Sequence, residues 1–328
     1  VDVNDNYLEV LQHYEGETLE VRRGRGAWIC QRSDGLKLLK EYRGTLKRLE
    51  FEESVMQGLK RQHVQHIDQY VRNQEGELIT IGGDGTKYIL KDWYADRECN
   101  IKDSGEILFV ASRIARLHKA MRRIPWLEEW DAGSMIAADL ETEMQRHTRE
   151  MKRTRTFISN KRKKNEFELC VIQHFEAYYE QALKARRGLE LLSKSKEQDR
   201  LFLCHGDLNQ HHVLVGSNDV AFIEFNQMHR GIQMRDFYHF MRKVMEKYNW
   251  NEQLGLDMIE SYNQVLPMEA DDRACLYYLF LYPEKYWKQL NFYYNANKAW
   301  IPEKNVEKLK NLNMQEAARS QFLSKIKL

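Results

Sequence analysis

Between Cys204 and Gly231 the chain reads CHGDLNQHHVLVGSNDVAFIEFNQMHRG. An apolar run, LFLC, ends in the polar triplet His205-Gly206-Asp207, and a later apolar run, VAFIEF, carries Glu224 near its end. Two carboxylates at the ends of adjacent short strands suit phosphoryl transfer. One can orient or deprotonate an attacking hydroxyl while the other holds Mg²⁺ against phosphates. The plainer reading has Asp207 capping a turn and Glu224 solvated. His205, His211 and His212 invite comparison with a zinc site, but no second set of ligands follows at zinc spacing. Neighbouring His211 and His212 also point to opposite sides of a strand.

Such groups need a frame. The first hundred residues predict three strands (18–24, 26–32, 36–42), a helix over 45–62 and two further strands (77–82, 86–93). Leu46, Leu49, Val55, Met56 and Leu59 recur at helical spacing in that helix. The turns Ser33-Asp34-Gly35 and Gly83-Asp84-Gly85 join strands. From about residue 105 the pattern is helical, with Ile107, Val110, Ile114 and Leu117 on one stripe and long charged helices over 128–196. A β-rich island at 201–225, with a turn at Gly216-Ser217-Asn218-Asp219, interrupts before helices resume.

The 328 residues exceed the roughly 250–300 at which one core stops growing, so two lobes are expected. The boundary reads as 1–93 and 94–328. With 4 prolines and 17 glycines the chain is no collagen, low-complexity linker or turn-dense all-β fold. A formal charge of +2 argues against a surface devoted to polyanions. The longest apolar runs are far shorter than the roughly 20 residues that span a bilayer. The acidic opening residues lack a signal-peptide pattern, and the 5 cysteines form no CxxC pair, so reduced intracellular thiols are expected.

HGDL followed by VLV resembles the H-x-D-x-x-x-x-N catalytic loop of aminoglycoside-phosphotransferase and choline-kinase-like enzymes. AFIEFN, with Gly231 and Asp236 behind it, resembles their I-D-F-D…G…D block, and ASRIARLHKAM their A-x-x-L-A-x-L-H helix. The C-terminal LYPEKYWKQLNFYYNANKAWIPEKNVEKL is similar to the tail of CotS-type spore coat proteins within that superfamily. The resemblance implies a protein-kinase-like two-lobed α+β fold. A small antiparallel-sheet lobe with one helix would bind nucleotide, and a large helical lobe would carry the catalytic-loop-like segment 204–226. It implies Asp207 as the catalytic acceptor of a hydroxyl proton, with His205 bracing the loop. Lys40 would face ATP phosphates, held by Glu52, with Glu53 and Lys37 as the competing choices. Asp92, Trp93 and Tyr94, entered through Lys91, form the expected hinge, whose backbone bonds an adenine edge. Gly24 and Gly26 suit a phosphate-covering loop or an ordinary hairpin equally.

The pattern breaks at the metal. His212 stands where the family has a metal-binding asparagine, Glu224 where it has aspartate, and Asn226 where it has a second aspartate. Imidazole is a poor Mg²⁺ ligand and tolerates Mn²⁺ better. Two readings follow. One is a degenerate or weakly active kinase fold that serves as a scaffold in the spore coat, with other coat proteins as partners. The other is a working small-molecule kinase using ATP with Mg²⁺ or Mn²⁺ at a degenerate Glu224–His212 site. By resemblance its location is intracellular, in the mother-cell cytoplasm or the spore coat.

Charge is segregated. Residues 127–145 hold six acids (Glu128, Glu129, Asp131, Asp139, Glu141, Glu143) and no Lys or Arg. Residues 146–164 hold nine bases against one acid, Glu150. Solvated helix faces explain this blandly. The acidic run could line a cationic substrate's pocket, and the basic run could dock a coat protein or an anion. With only Phe157 as an aromatic, RTRTFISNKRKK argues against a nucleic-acid partner. Tyr282, Tyr286, Trp287, Phe292, Tyr293, Tyr294 and Trp300 read first as helix-packing side chains, and second as a wall beside a substrate.

Overall fold

The structure is a computed structural model and describes residues 6–131, 133–196, 201–217, 219–296 and 303–327. After α1 (Asn6–Leu11) come β1 (Thr18–Gly24), β2 (Ala27–Arg32) and β3 (Gly35–Glu41), an antiparallel meander. α2 (Leu46–Arg61) starts at Thr45, whose side chain accepts from the Arg48 N–H. β4 (Tyr70–Val71), β5 (Thr80–Ile81) and β6 (Lys87–Asp92) complete a sheet of order β1-β2-β3-β6-β4, with β5 on β6. The strand expected over 77–82 shrinks to β5, because Asn73 folds the chain ahead of it by accepting from Glu75 and Glu77 N–H. β7 (Arg97–Glu98) is followed by the helices α3 (Ser104–Met121), α4 (Leu140–Ser159) and α5 (Glu166–Lys196). The island supplies β8 (Phe202–Cys204), β9 (Val213–Val215), β10 (Val220–Phe222) and β11 (His229–Gly231). β10, β9 and β7 form a second antiparallel sheet. α6 (Gln233–Lys247), α7 (Glu252–Asn263), α8 (Ala270–Leu281), α9 (Glu284–Asn295) and α10 (Glu303–Ile326) follow.

Strand alternation sorts the first sheet into two cores. Trp28, Cys30 and Leu39 join Val10, Leu11 and Tyr14 on one face. Ala27, Ile29 and Leu38 join Trp93, Leu214, Ala221 and Ile223 on the other. Leu46, counted with the apolar stripe of α2, is exposed, whereas Leu49, Val55, Met56 and Leu59 are buried. The α3 stripe Ile107, Val110, Ile114 and Leu117 is fully buried.

Two compact units result. Val1–Asn100, Arg116–Met135 and Leu203–His229 form one, the sheet unit. Ile101–Ala115, Ile136–Phe202 and Arg230–Leu328 form the other, the helical unit. They do not part at residue 93. The loop around Asp207 and strands β9 and β10 group with the N-terminal sheet, because Leu214, Ala221 and Ile223 complete its second core. Of the expected island turn Gly216-Ser217-Asn218-Asp219, Asn218 lies outside the described residues, as does Trp300 of the C-terminal aromatic set.

Candidate phosphoryl-transfer site

His205 leaves β8 fully buried, with Nε2 at 3.0 Å from the Ile223 carbonyl oxygen. Its Nδ1 accepts from the Asp207 N–H at 3.3 Å, which assigns the ring proton to Nε2. Gly206 has φ +87°, and a Cβ there would lie 2.0 Å from the Gln227 carbonyl oxygen, so only glycine fits. Asp207 then emerges with its side chain 52% exposed. Asn209 Nδ2 donates to Asp207 Oδ1 at 3.0 Å and orients the carboxylate. His212 Nδ1 sits 2.7 Å from the Asp207 carbonyl oxygen. An exposed, oriented carboxylate can accept a hydroxyl proton.

Lys40 shares a face of β3 with Leu38. Its Nζ donates to Glu224 Oε2 at 2.9 Å and Oε1 at 3.2 Å. Glu224 holds φ +64°, a left-handed conformation unusual for a side chain with a Cβ. Its backbone N–H donates to Asp68 Oδ2 at 2.9 Å. Asp68, placed by the Ile67–Phe222 bridge, is fully buried and also accepts from the buried Lys91 Nζ at 2.9 Å. Burial alone would raise the Glu224 pKa, but the Lys91 and Lys40 ammoniums outweigh it and hold the carboxyl below its ordinary value. Burial likewise works against the Lys91 charge, yet Asp68, with Glu224 and Glu52 beyond it, keeps that pKa raised.

The expected Lys40–Glu52 pair does not form. Glu52 accepts from Arg48 Nε at 2.5 Å and from the Tyr70 hydroxyl. Arg48 lies one turn earlier on the same helix face and reaches Glu52 first. Glu53 pairs with Arg72 at 3.2 Å, and Lys37 with Asp92 at 2.7 Å, so neither alternative takes the role.

Two of the three hinge N–H groups are committed internally. The Asp92 N–H donates to the Gln69 carbonyl at 2.8 Å and the Trp93 N–H to the Leu36 carbonyl at 2.9 Å, which removes both from an adenine edge. The Tyr94 hydroxyl donates to the Ile67 carbonyl at 2.9 Å. Between Gly24 and Ala27, which face each other in register, Arg25 and Gly26 have φ +53° and +70°. Two positive values make this a tight two-residue hairpin turn of the primed kind, not an open loop.

As a metal site the donors fit poorly. Glu224 is taken by Lys40 and one Asp207 oxygen by Asn209, while His212, its Nδ1 on a carbonyl, has only Nε2 to offer. Asn226 is exposed, and its carbonyl accepts from Arg48 at 3.0 Å. Among the described residues no group of three His, Cys, Asp or Glu could hold a metal ion. Asn209, Asp68 and Arg25 are not singled out by sequence, and Lys91 enters there only as the start of the hinge, not as a buried ion-pair partner. Lys91 alone carries a visible signal, a charge inside the apolar strand YILKDW.

In the helical unit the acids are absorbed locally. Asp139 caps α4, Glu141 lies 3.8 Å from Arg186, and Glu143 pairs with Arg235 at 2.8 Å. Glu143 lines a cavity of about 290 Å³ with His147, His239, Tyr282, Glu284 and Trp287, where Arg235 neutralises it. Two of the nine bases in the basic run are paired with acids: Arg155 with Glu176 and Lys161 with Glu168. Arg149, Lys152 and Arg153 remain along an open groove with Phe157 and Tyr294 and no acid in its lining. The C-terminal aromatics pack. Tyr286 stacks on Tyr178 at 4.2 Å, Tyr293 on Phe167 at 5.2 Å and Trp287 on His147 at 3.5 Å, while Phe292 is exposed.

A protein family described as "Spore coat putative kinase YutH" matches residues 10–326. The chain belongs to this family. No curated protein sequence matches it. Among solved structures, it is similar to an aminoglycoside phosphotransferase from Alicyclobacillus acidocaldarius subsp. acidocaldarius DSM 446. That match has a TM-score of 0.84 and 15% identity over 97% of this chain and 94% of the other. The AMP-bound spectinomycin phosphotransferase APH(9)-Ia matches with TM-score 0.63 and 13% identity, over 94% and 93% of the two chains. Amicoumacin kinase hAmiN, in complex with AMP-PNP, Ca²⁺ and Ami, matches with TM-score 0.60 and 11% identity, over 99% and 94%. At such identities the likeness is one of fold, and the fold of this family member is protein-kinase-like. No helix among the described residues is long and apolar enough to cross a membrane.

Proposed function

We propose that this kinase-fold member of a spore coat family works as a scaffold in coat assembly, with phosphotransfer lost or weak. One observation carries the reading: Lys40 and Glu224 neutralise each other at 2.9 Å. Phosphotransfer needs that ammonium on phosphates and that carboxylate on a metal. Here the pair is anchored from behind by the buried Asp68–Lys91 pair, and His212 offers imidazole where Mg²⁺ prefers oxygen. The partner is another coat protein, docked by an acidic segment on the Arg149–Lys152–Arg153 groove of α4, whose lining holds no acid. The corresponding location is the mother-cell cytoplasm during assembly and then the coat.

A second reading has its own observation. The Asp207 carboxylate is exposed and oriented by Asn209, as a base for a small-molecule hydroxyl should be. ATP, with Mg²⁺ or Mn²⁺ near Glu224 and His212, would then be the phosphate donor, and Asp207, Lys40 and Glu224 its machinery.

Phosphate release from ATP with either metal, set beside coat assembly in spores carrying Asp207→Asn, separates the two. The scaffold reading expects little or no turnover, and assembly that Asp207→Asn leaves normal. Turnover by the unaltered protein that Asp207→Asn abolishes would establish the second reading instead.

A further inference from the structure

A nucleotide whose phosphates reach Lys40 must lay its base on the face of β2 and β3 that carries Lys40. Leu38, two residues earlier, marks that face, and Ala27 and Ile29 continue it on β2. Leu214, Ala221 and Ile223 belong to the same cluster, from the strands around the Asp207 loop. These small and aliphatic walls are what a flat aromatic base packs against. They already enclose one. Trp93 belongs to this cluster and is only 6% exposed. Indole and purine are both flat, fused five- and six-membered rings, so the side chain and a base compete for one volume.

The rim is closed as well. The Arg25 guanidinium lies over the Trp93 ring, 5.7 Å from its centre. It donates to the His211 carbonyl at 2.9 Å and to Glu98 at 2.5 Å. His211 Nδ1 sits 2.7 Å from the other Glu98 oxygen. The hairpin turn that would cover phosphates is therefore tied by its own side chain to β7 and to the Asp207 loop. The Trp93 N–H, spent on Leu36, leaves the base edge without that donor.

We propose that Trp93 is a built-in surrogate for the nucleotide base. It fills the base slot of the kinase fold, excludes ATP from the unaltered protein, and vacates a purine-shaped site when removed. The proposal rests on the kinase-fold part of the scaffold reading and concerns binding alone, not turnover.

Calorimetric titration of the full chain with adenosine, and separately with ATP, tests it. Adenosine isolates the base slot from phosphate and metal. The unaltered protein should show no binding up to about 1 mM, a limit of roughly −4 kcal/mol. Trp93→Ala should bind adenosine at least about tenfold more tightly than that limit, and Trp93→Leu, which vacates less volume, should gain less. Adenosine should raise the melting temperature of Trp93→Ala and leave that of the parent unchanged.

Binding by the unaltered protein with a Kd below about 1 mM overturns the proposal. So does a folded Trp93→Ala or Trp93→Leu that binds no better than the parent. Should both variants fail to fold, the parent titration still decides, with Arg25→Ala as a folded control for the rim. Binding without phosphate transfer would sink the filled slot and leave the scaffold standing. Efficient phosphate transfer by the parent that Asp207→Asn abolishes would sink both.

Discussion

The sheet unit and the helical unit treat charge in opposite ways. Lys40, Glu224, Asp68 and Lys91 close on one another, two of them fully out of solvent. On α4, Arg149, Lys152 and Arg153 line a groove that no acid lines with them. The first arrangement is self-sufficient and holds one conformation. The second has surplus charge and gains by meeting an opposite one. Length and fold family draw attention to the first set as chemistry, yet its geometry is that of a structural clamp. The second set, a run of bases within one helix, offers the better-exposed recognition surface.

The largest break in this contrast is Lys91→Met. It leaves the Asp68 carboxylate buried without its cation, and unfolding free energy measured in denaturant should fall by about 3–5 kcal/mol. Adding Asp68→Leu should restore much of that loss, because the charge goes with its partner. Stability unchanged in the single variant would mean that the pair carries no structural load.

A smaller effect belongs to His239, a strongly shifted imidazole in the helical unit. Burial lowers the His239 pKa from 6.5 to about 4, against the opposing pull of Glu284. The folded state therefore binds fewer protons there than the unfolded state. Stability should be complete above pH 6.5 and decline as pH falls towards about 4, by on the order of 2 kcal/mol for this group. His239→Gln should flatten that part of a pH–stability curve. The Lys40–Glu224 pair acts in a lower window. With its pKa depressed, Glu224 contributes stability above the ordinary carboxylate value of 4.5 and loses it as pH falls further.

The smallest stability effect should accompany the clearest loss of association. Reversing Arg149→Glu and Lys152→Glu, on an open face, should change stability by no more than about 0.5 kcal/mol. The same variant should lose recruitment to the coat, read by fluorescence of a tagged protein in sporulating cells. Recruitment that survives would dismiss the groove as the docking surface.

Much of the frame was legible before any coordinates. The period-2 runs placed β1, β2, β3 and β6 within a residue or two, and the stripe Ile107–Leu117 placed the buried face of α3. Local patterning of this sort reports which way a side chain faces, and that is decided by neighbours in sequence. Asp207 was equally visible, since a polar loop after an apolar strand puts its carboxylate near solvent. The partners were not. Glu52 turned to Arg48 and Tyr70 because a residue one helical turn away outcompetes a lysine on another element.

By itself, then, the sequence determined the longer strands and helices, the kinase-like motifs and the changed metal donors His212, Glu224 and Asn226, because these are matters of residue type and spacing, while the short α1, β4, β7 and β11 escaped it. Tertiary structure alone decided that Lys40 meets Glu224, that Asp68 and Lys91 bury a second pair behind them, and that Trp93 packs among Leu38, Leu214 and Ile223. Each of those contacts joins residues far apart in the chain. Which opposite charge or which cavity a side chain finds is settled only by how strands β3, β6, β9 and β10 come together.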